Sequence, residues 1–193
     1  MFARANEAQD CDLTALCFHG REPDITDTKQ AQPAIYLVHW VAFQLLKERE
    51  PRLAFNGRAD LSLGEFTVLA TAGTLAFEAG LRAVRLRGCF MQEACDVTQG
   101  GRGGNDRPRR GRDPWEAKVE LTNLNCRGRL VISCEADKVA RACVLAQAKG
   151  AKRPLPLPVA GACQSRLMAS ARPRPAAAPA SVTRGEPNVT VVS

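Results

Sequence analysis

The sequence of 193 residues contains little of what several classes of protein require. It has two histidines, and its eight cysteines include no C-x-x-C pair, so neither a metal site nor a disulfide framework is indicated. We expect free and mostly buried thiols. The longest apolar run, residues 34–46, is shorter than the roughly 20 residues of a membrane span. No secretory signal is recognisable at the N-terminus, so we expect a cytoplasmic protein.

Positive charge is in excess. The formal net charge of +7 favours polyanionic partners in general, among them nucleic acid, the phosphates of coenzyme A and acidic carrier proteins. Charge alone does not choose among these partners. Apolar residues at 45% and charged residues at 24% are ordinary for a globular protein that buries a core.

The first half of the chain predicts helices separated by one extended segment. An apolar pattern with helical period follows Pro33, which we place at the first helical position, and ends before Pro51. Residues 53–61 predict a strand, and a second helix opens at Ser62 and stops at Gly73. A strand, a tight turn with serine and a helix are typical of α/β proteins.

The second half predicts a small α+β region. A third helix runs from Phe77 to about Cys95, and the Arg/Gly-rich residues 97–115 then have no periodicity, which indicates a loop or disorder. Order returns with predicted strands at residues 116–125 and 130–135 and a helix at residues 137–150. After Met168 the tail is rich in Ala, Pro and Arg and closes with the strand-like NVTVVS.

Two stretches of this sequence resemble the malonyl-CoA:acyl carrier protein transacylase family of bacterial fatty acid synthesis. They are residues 26–96, from TDTKQAQPA to LSLGEFTVLATAG and RGCFMQEACD, and residues 151–168, AKRPLPLPVAGACQSRLM. The resemblance implies an α/β-hydrolase-like parallel sheet with flanking helices, formed by residues 1–96 and 158–193. It also implies a small ferredoxin-like insertion at residues 97–157, in which we expect residues 98–115 to be disordered.

The resemblance implies a transfer of malonyl groups from malonyl-CoA to acyl carrier protein. The family's G-x-S-x-G elbow corresponds to DLSLG, so Ser62 is the implied nucleophile and the Leu63 amide an implied oxyanion donor. Arg87 lies where the family clamps the malonyl carboxylate. Asn123 and Asn125 resemble a supporting N-x-N motif. No metal or redox cofactor is implied, because the CoA thioester and phosphopantetheine are substrates.

The sequence departs from the family at the catalytic base. Gln164 stands where the family has histidine, and an amide cannot accept a proton near neutral pH. Loss of the base costs serine proteases about a millionfold, so we expect severely reduced turnover. Among the alternative imidazoles, His19 and His39, the second is expected to be a core residue. Asp60 replaces the first elbow glycine and adds a carboxylate near an anionic substrate.

Further departures concern the family's ends and the Arg/Gly-rich stretch. The family's first strand with its P-G-Q-G oxyanion loop, and its C-terminal G-P-G-K segment, have no counterpart in the sequence, so we expect one oxyanion donor to be absent. Residues 101–119 suggest a degraded or wrongly translated stretch.

Two other functions remain open, namely a non-catalytic remnant that binds acyl carrier protein and an RGG-type nucleic-acid-binding segment at Gly100–Gly104. A solvated linker is preferred to the latter, and we do not expect nucleic acid as a partner.

Overall fold

The computed structural model describes residues 1–9, 11–106, 119–157, 159, 161–171 and 185–192. Its elements, in chain order, are helices α1 (Phe2–Gln9), α2 (Leu13–His19), α3 (Glu22–Thr26) and α4 (Thr28–Arg49), strand β1 (Gly57–Ala59), helices α5 (Leu63–Thr71) and α6 (Phe77–Asp96), strands β2 (Gly100–Asp106), β3 (Glu120–Cys126) and β4 (Arg129–Glu135), helix α7 (Ala136–Ala148), strand β5 (Leu155–Leu157), a 3₁₀ helix (Arg166–Ala171) and strand β6 (Thr190–Val192).

The chain divides into two compact units. The first unit is Met1–Cys89 with Pro173–Ser193, and the second unit is Phe90–Arg172. The sequence had suggested boundaries after residues 96 and 157. Ala94 and Cys95, at the end of α6, pack against Met168 in a buried cluster of the second unit, so the last residues of α6 group with that unit.

Helix α4 begins earlier than the sequence predicted. The Asp27 side chain caps it by accepting a hydrogen bond of 2.8 Å from the Lys29 amide, as N-terminal aspartates commonly do. Pro33 therefore lies inside the helix, and its predicted place at the first helical position is wrong. His39 is exposed on α4, so the expectation that it is a core residue is also wrong.

The other helices of the first half agree with their predicted positions. Helix α5 follows Ser62 directly, and Gly73, at a φ of 81°, adopts the left-handed conformation that commonly follows a helix. Helix α6 spans the predicted third helix and one residue more. The predicted strand at residues 53–61 is reduced to β1, which pairs in parallel with β6, with Gly57 opposite Thr190.

The core of the first unit forms where α4 meets the start of α6. Tyr36, Leu37, Leu81 and Val84 are completely buried, and the Tyr36 ring stacks on Phe77 with centroids 5.7 Å apart. The Tyr36 hydroxyl donates a hydrogen bond of 3.2 Å to the Phe77 carbonyl, which satisfies its polar end. Burial, and to a smaller extent the Glu78 carboxylate, raises the pKa of Tyr36, so the phenol stays protonated.

The second unit is built on a four-stranded sheet with the order β3-β4-β2-β5. All of its neighbouring strands are antiparallel. The predicted strands at 116–125 and 130–135 and the predicted helix at 137–150 correspond to β3, β4 and α7. Val119, Ile132, Cys134, Val139 and Cys143 form its buried core.

Residues 97–115 were predicted to form a loop, and this prediction is wrong for Gly100–Asp106, which form β2. This strand is interior, because it pairs with β4 on one side and with β5 on the other. Its glycines allow α7 to approach closely: a Cβ on Gly103 would lie 3.0 Å from Val139 and 3.1 Å from the Cys143 sulfur. The rest of the predicted disordered stretch, residues 107–115, lies outside the described residues.

The eight cysteines are all free, as predicted. The expectation that most of them are buried is wrong, because three are buried, four are half-buried, and Cys126 is exposed. Among the residues that the structure describes, no group of three or more His, Cys, Asp or Glu side chains could hold a metal ion. None of the described helices combines the length and the apolar character that crossing a membrane requires.

Candidate active site

Ser62 lies at a strained turn between β1 and α5. Its backbone has a φ of 60° and a ψ of −106°, which residues with a Cβ rarely adopt. The Ser62 amide donates a hydrogen bond of 2.9 Å to the Glu65 carboxylate, which belongs to the first turn of α5. The turn therefore places the half-buried serine at the N-terminus of a helix, where the helix dipole favours negative charge.

Leu63 is the first residue of α5, so its amide has no acceptor within the helix. This amide follows the nucleophile candidate directly, which is where a developing oxyanion would need a donor. The position of Leu63 is therefore compatible with the role that the sequence resemblance implied.

Arg87 reaches Ser62 from helix α6. Its Nη2 donates a hydrogen bond of 2.8 Å to the Ser62 Oγ, and its Nη1 donates to the Gln32 side-chain oxygen. Two residues separated by 25 positions are thus in direct contact. A planar guanidinium beside a hydroxyl can hold the free carboxylate of an acyl group attached to that hydroxyl.

Gln32 is a site residue that the sequence analysis did not identify. It is a buried polar side chain, 6% exposed, on the face of α4 that also carries Tyr36. Its contact with Arg87 helps to fix the guanidinium. The sequence offered little signal for it, because Pro33 was predicted to be the first helical residue, which left Gln32 outside the helix.

Asp60 packs against the first turn of α5. A Cβ on Gly64 would lie 2.0 Å from the Asp60 Cγ, so the carboxyl group fills the space that a side chain at position 64 would need. The Asp60 carboxylate also accepts a hydrogen bond of 2.7 Å from the Leu61 amide. An anionic group therefore lies two residues before Ser62 and in contact with the helix that Ser62 caps.

In the second unit, Gln164 precedes the 3₁₀ helix. It is exposed and has a φ of 66°, in the left-handed region. Its side-chain oxygen accepts a hydrogen bond of 3.3 Å from Arg102 Nη2, and the same nitrogen donates to the Asn123 side-chain oxygen. Arg102 thus joins two predicted site residues, although it lies in the stretch that was predicted to be a loop.

Asn125 does not join this group. It is exposed near the end of β3, and among the described residues its side chain makes no hydrogen bond. The two asparagines differ because β3 has a bulge between the pairs Leu124–Leu130 and Cys126–Arg129, where Asn125 has no opposite residue.

A cavity of about 350 Å³ adjoins Gln164 within the second unit. Its lining is mostly polar and comprises Glu120, Gln164, Ser165, Arg166, Met168 and Ala169. Arg166 forms ion pairs with Glu120 at 3.4 Å and Glu135 at 3.1 Å, and its amide donates to Glu120 at 2.9 Å. These contacts tie the start of the 3₁₀ helix to the sheet.

No imidazole is paired with Ser62 in the described part of the chain. His19 and His39 are both exposed, and neither forms a hydrogen bond with Ser62 within the described part of the chain. The first unit therefore presents a strained serine with a guanidinium beside its hydroxyl. The second unit presents an amide, Gln164, that is held by a different guanidinium.

The chain is similar to proteins described as malonyl CoA-acyl carrier protein transacylases. Malonyl CoA-acyl carrier protein transacylase of Bacillus subtilis (strain 168) is 36% identical over 180 residues, which are 87% of this chain and 55% of that protein. The protein of the same description from Escherichia coli O157:H7 is 36% identical over 199 residues, covering 100% of this chain and 64% of that protein. The chain thus spans less than two thirds of the length of these relatives. No protein-family model matches it.

Solved structures give the same result. The malonyl CoA-acyl carrier protein transacylase of Coxiella burnetii superposes with a TM-score of 0.85 at 31% identity, covering 98% of this chain and 62% of that one. A malonyl-transacylase solved in complex with a type II polyketide synthase acyl carrier protein gives 0.86 at 32% identity, covering 99% and 64%. These matches, together with the elements above, make the fold a mixed α/β fold with parallel strands and helices.

Proposed function

We propose that this chain transfers malonyl groups from malonyl-CoA to acyl carrier protein with impaired turnover. It belongs to the malonyl CoA-acyl carrier protein transacylase family over the part of those proteins that it spans. The observation that carries this proposal is the hydrogen bond of 2.8 Å between Arg87 and the hydroxyl of Ser62. A serine at a strained turn before a helix supplies the nucleophile, and the guanidinium supplies the selectivity for a carboxylate.

The reaction proceeds in two acyl transfers. Ser62 Oγ attacks the carbonyl of malonyl-CoA, a C–O bond forms and the C–S bond breaks, and the serine proton ends on the sulfur, so that CoA leaves as a thiol and malonyl-Ser62 remains. The phosphopantetheine thiol of the carrier protein then attacks this ester, a C–S bond forms and the C–O bond to Ser62 breaks, and the thiol proton passes to Oγ, which restores the Ser62 hydroxyl and leaves malonyl on the carrier protein. The Leu63 amide stabilises the oxyanion in both steps, and no metal or redox cofactor is needed.

Arg87 provides the preference for malonyl over acetyl groups. Its Nη2 already touches the Oγ to which the acyl group would be attached, so the carboxylate of a bound malonyl group falls within reach of the guanidinium. An acetyl group has no anion to offer and leaves the arginine without that partner. Asn123 keeps a supporting role, because its side-chain oxygen accepts a hydrogen bond from Arg102. For Asn125, only its position in the N-x-N motif supports such a role.

The impairment has its cause in proton transfer. Gln164 can orient a hydroxyl but cannot take up its proton, and the two imidazoles of the chain are exposed and not bonded to Ser62. The helix N-terminus should favour the oxyanion, but Asp60 places a carboxylate beside it, and this negative charge opposes the oxyanion. The expected loss is several orders of magnitude in turnover.

The proposed architecture follows the family. We assign the first unit to an α/β-hydrolase-like subdomain and the second unit to a ferredoxin-like subdomain. The strand order β3-β4-β2-β5, with antiparallel neighbours and helix α7 between β4 and β5, supports the second assignment, because a split βαβ arrangement has this order. The cytoplasmic location expected from the sequence stays a prediction.

Two other functions are less well supported. An RGG-type nucleic-acid segment needs a flexible backbone, but residues 100–104 are hydrogen-bonded into an interior strand. A non-catalytic remnant that binds acyl carrier protein needs no nucleophile, so the strain at Ser62 and its contact with Arg87 would have no use. The contact between these two residues therefore favours the transacylase.

Intact-mass measurement after incubation with malonyl-CoA tests the proposal. We expect slow addition of one malonyl group to the unmodified chain, none to Ser62→Ala, and faster addition to a variant whose base is restored. Acetyl-CoA should load much more slowly than malonyl-CoA. Rapid loading of the unmodified chain would contradict the impairment, and loading of Ser62→Ala would contradict the role of the serine.

A further inference from the structure

The side chain at position 164 is held by a cation, and we propose that Arg102 is a positioning residue that suppresses the basicity of whatever side chain occupies this position. This inference rests on the proposed function, because it concerns the base of that reaction. It changes the expected repair: Gln164→His alone should not restore a good base, whereas Gln164→His combined with loss of the Arg102 charge should.

The backbone of Arg102 is fixed on both sides. It lies in the interior strand β2, opposite Ser133 of β4 and Leu157 of β5. Its side chain is half-buried, and its Nε is shielded from solvent without a hydrogen-bond partner in the described part of the chain. The guanidinium is therefore positioned by the interior strand and by the two hydrogen bonds that its Nη2 donates.

The Arg102 guanidinium bridges two amide oxygens. Its Nη2 donates to Asn123 and, at 3.3 Å, to Gln164. Both partners are neutral, and among the described residues no carboxylate pairs with Arg102. Its positive charge therefore acts on the side chain at position 164, and no anion neutralises it.

The other charged groups near position 164 do not compensate. The carboxylates of Glu120 on β3 and Glu135 on β4 are engaged by Arg166, at 3.4 Å and 3.1 Å. Lys138 also pairs with Glu135, at 3.1 Å, so these two carboxylates are balanced by the two cations Arg166 and Lys138. Cys163 is the adjacent titratable thiol.

A general base becomes positively charged when it accepts the serine proton. An imidazole at position 164 would do so within hydrogen-bond distance of Arg102, and a like charge this close lowers an imidazole pKa by about one unit or more. The amide of Gln164 suffers no such penalty, because it accepts the guanidinium hydrogen bond and stays neutral. Arg102 and Gln164 are thus compatible with each other, whereas Arg102 and a histidine are not.

The pKa of the imidazole that Gln164→His introduces, measured by NMR titration of the full chain, tests this proposal. We expect this imidazole to titrate below the ordinary histidine range in Gln164→His and about one unit higher in Gln164→His/Arg102→Gln. Gln164→His/Arg102→Lys keeps the cation and should titrate like Gln164→His. Gln164→His/Arg141→Gln removes an exposed charge from α7 of the same unit and serves as the control for net charge.

Malonyl loading of the same variants separates this proposal from the proposed function. Equal pKa values with and without Arg102 overturn the role of Arg102, whatever the loading rate. A pKa that rises when Arg102 is removed, without malonyl loading in any variant, supports Arg102 and overturns the transacylase proposal. If both hold, the double variant should load several-fold, and at most about tenfold, faster than Gln164→His.

Discussion

The guanidinium of Arg87 donates a hydrogen bond of 2.8 Å to the hydroxyl of Ser62. The same side chain donates to Gln32, which is buried on α4. Three separate helices therefore converge on one hydroxyl: α5 begins beside it, α6 brings the cation, and α4 orients that cation. Under the proposed function, this arrangement presents the nucleophile and the carboxylate clamp before any substrate is bound, so the clamp would lose little conformational entropy on binding malonyl-CoA.

Replacing Arg87 should remove the selection for malonyl groups. We expect Arg87→Ala to lower malonyl loading of Ser62 by about a hundredfold, which corresponds to about 2.7 kcal/mol for a lost charge-assisted contact. Loading from acetyl-CoA should not fall. Arg82→Ala, an exposed arginine of the same helix, is the matched control. Equal losses for malonyl-CoA and acetyl-CoA in Arg87→Ala would speak against a clamp.

Gln32 should affect how strongly Arg87 binds the malonyl carboxylate. Gln32→Glu places a carboxylate of nearly the same shape against the Arg87 guanidinium, and this internal anion competes with the malonyl carboxylate. We expect weaker malonyl-CoA binding, seen as a tenfold or larger rise in KM for loading, with a smaller change in kcat. Gln32→Leu should lower kcat as well, because Arg87 then loses a partner. Unchanged KM in Gln32→Glu would exclude this role.

The long helices could be predicted from the sequence, whereas the contacts that define the site could not. Helices α4, α6 and α7 carry apolar residues at helical spacing, and this pattern depends only on the residues of each helix. Strand β2 was missed because its packed face is built from glycines, which show no alternation. Arg102, placed by that strand, was missed with it. Gln32 was missed because its partner, Arg87, is 55 positions away.

Asp60 and Gly64 should be coupled in stability. A Cβ on Gly64 would collide with the Asp60 carboxyl group at 2.0 Å, so Gly64→Ala should destabilise the chain by about 1–3 kcal/mol. In the background of Asp60→Gly the same substitution should cost much less, because the colliding group is gone. A double-mutant cycle from urea unfolding measures the difference. Additive effects would mean that the carboxyl group can turn away at little cost.

Glu135 should make stability depend on pH at the acidic end. The Cys134 thiol, the backbone amide and Lys138 lower the pKa of Glu135 to about 2. A carboxyl whose folded pKa is depressed stabilises the fold above its unfolded pKa, and this contribution disappears as pH falls from there towards 2. Glu135→Gln should therefore reduce the fall in Tm over this acidic interval. Glu93→Gln, on the exposed part of α6, should change it less.

Gly80 should be required for the core of the first unit. A Cβ on this residue would lie 2.2 Å from the Tyr36 hydroxyl oxygen, which is itself bonded to the Phe77 carbonyl. Gly80→Ala should lower the free energy of unfolding by about 1–3 kcal/mol, because overpacking forces the ring to move. Tyr36→Phe removes the colliding oxygen at a cost of about 1 kcal/mol for its hydrogen bond. In Tyr36→Phe, Gly80→Ala should therefore be better tolerated, and equal costs in both backgrounds would show that the helices, not the hydroxyl, set the spacing.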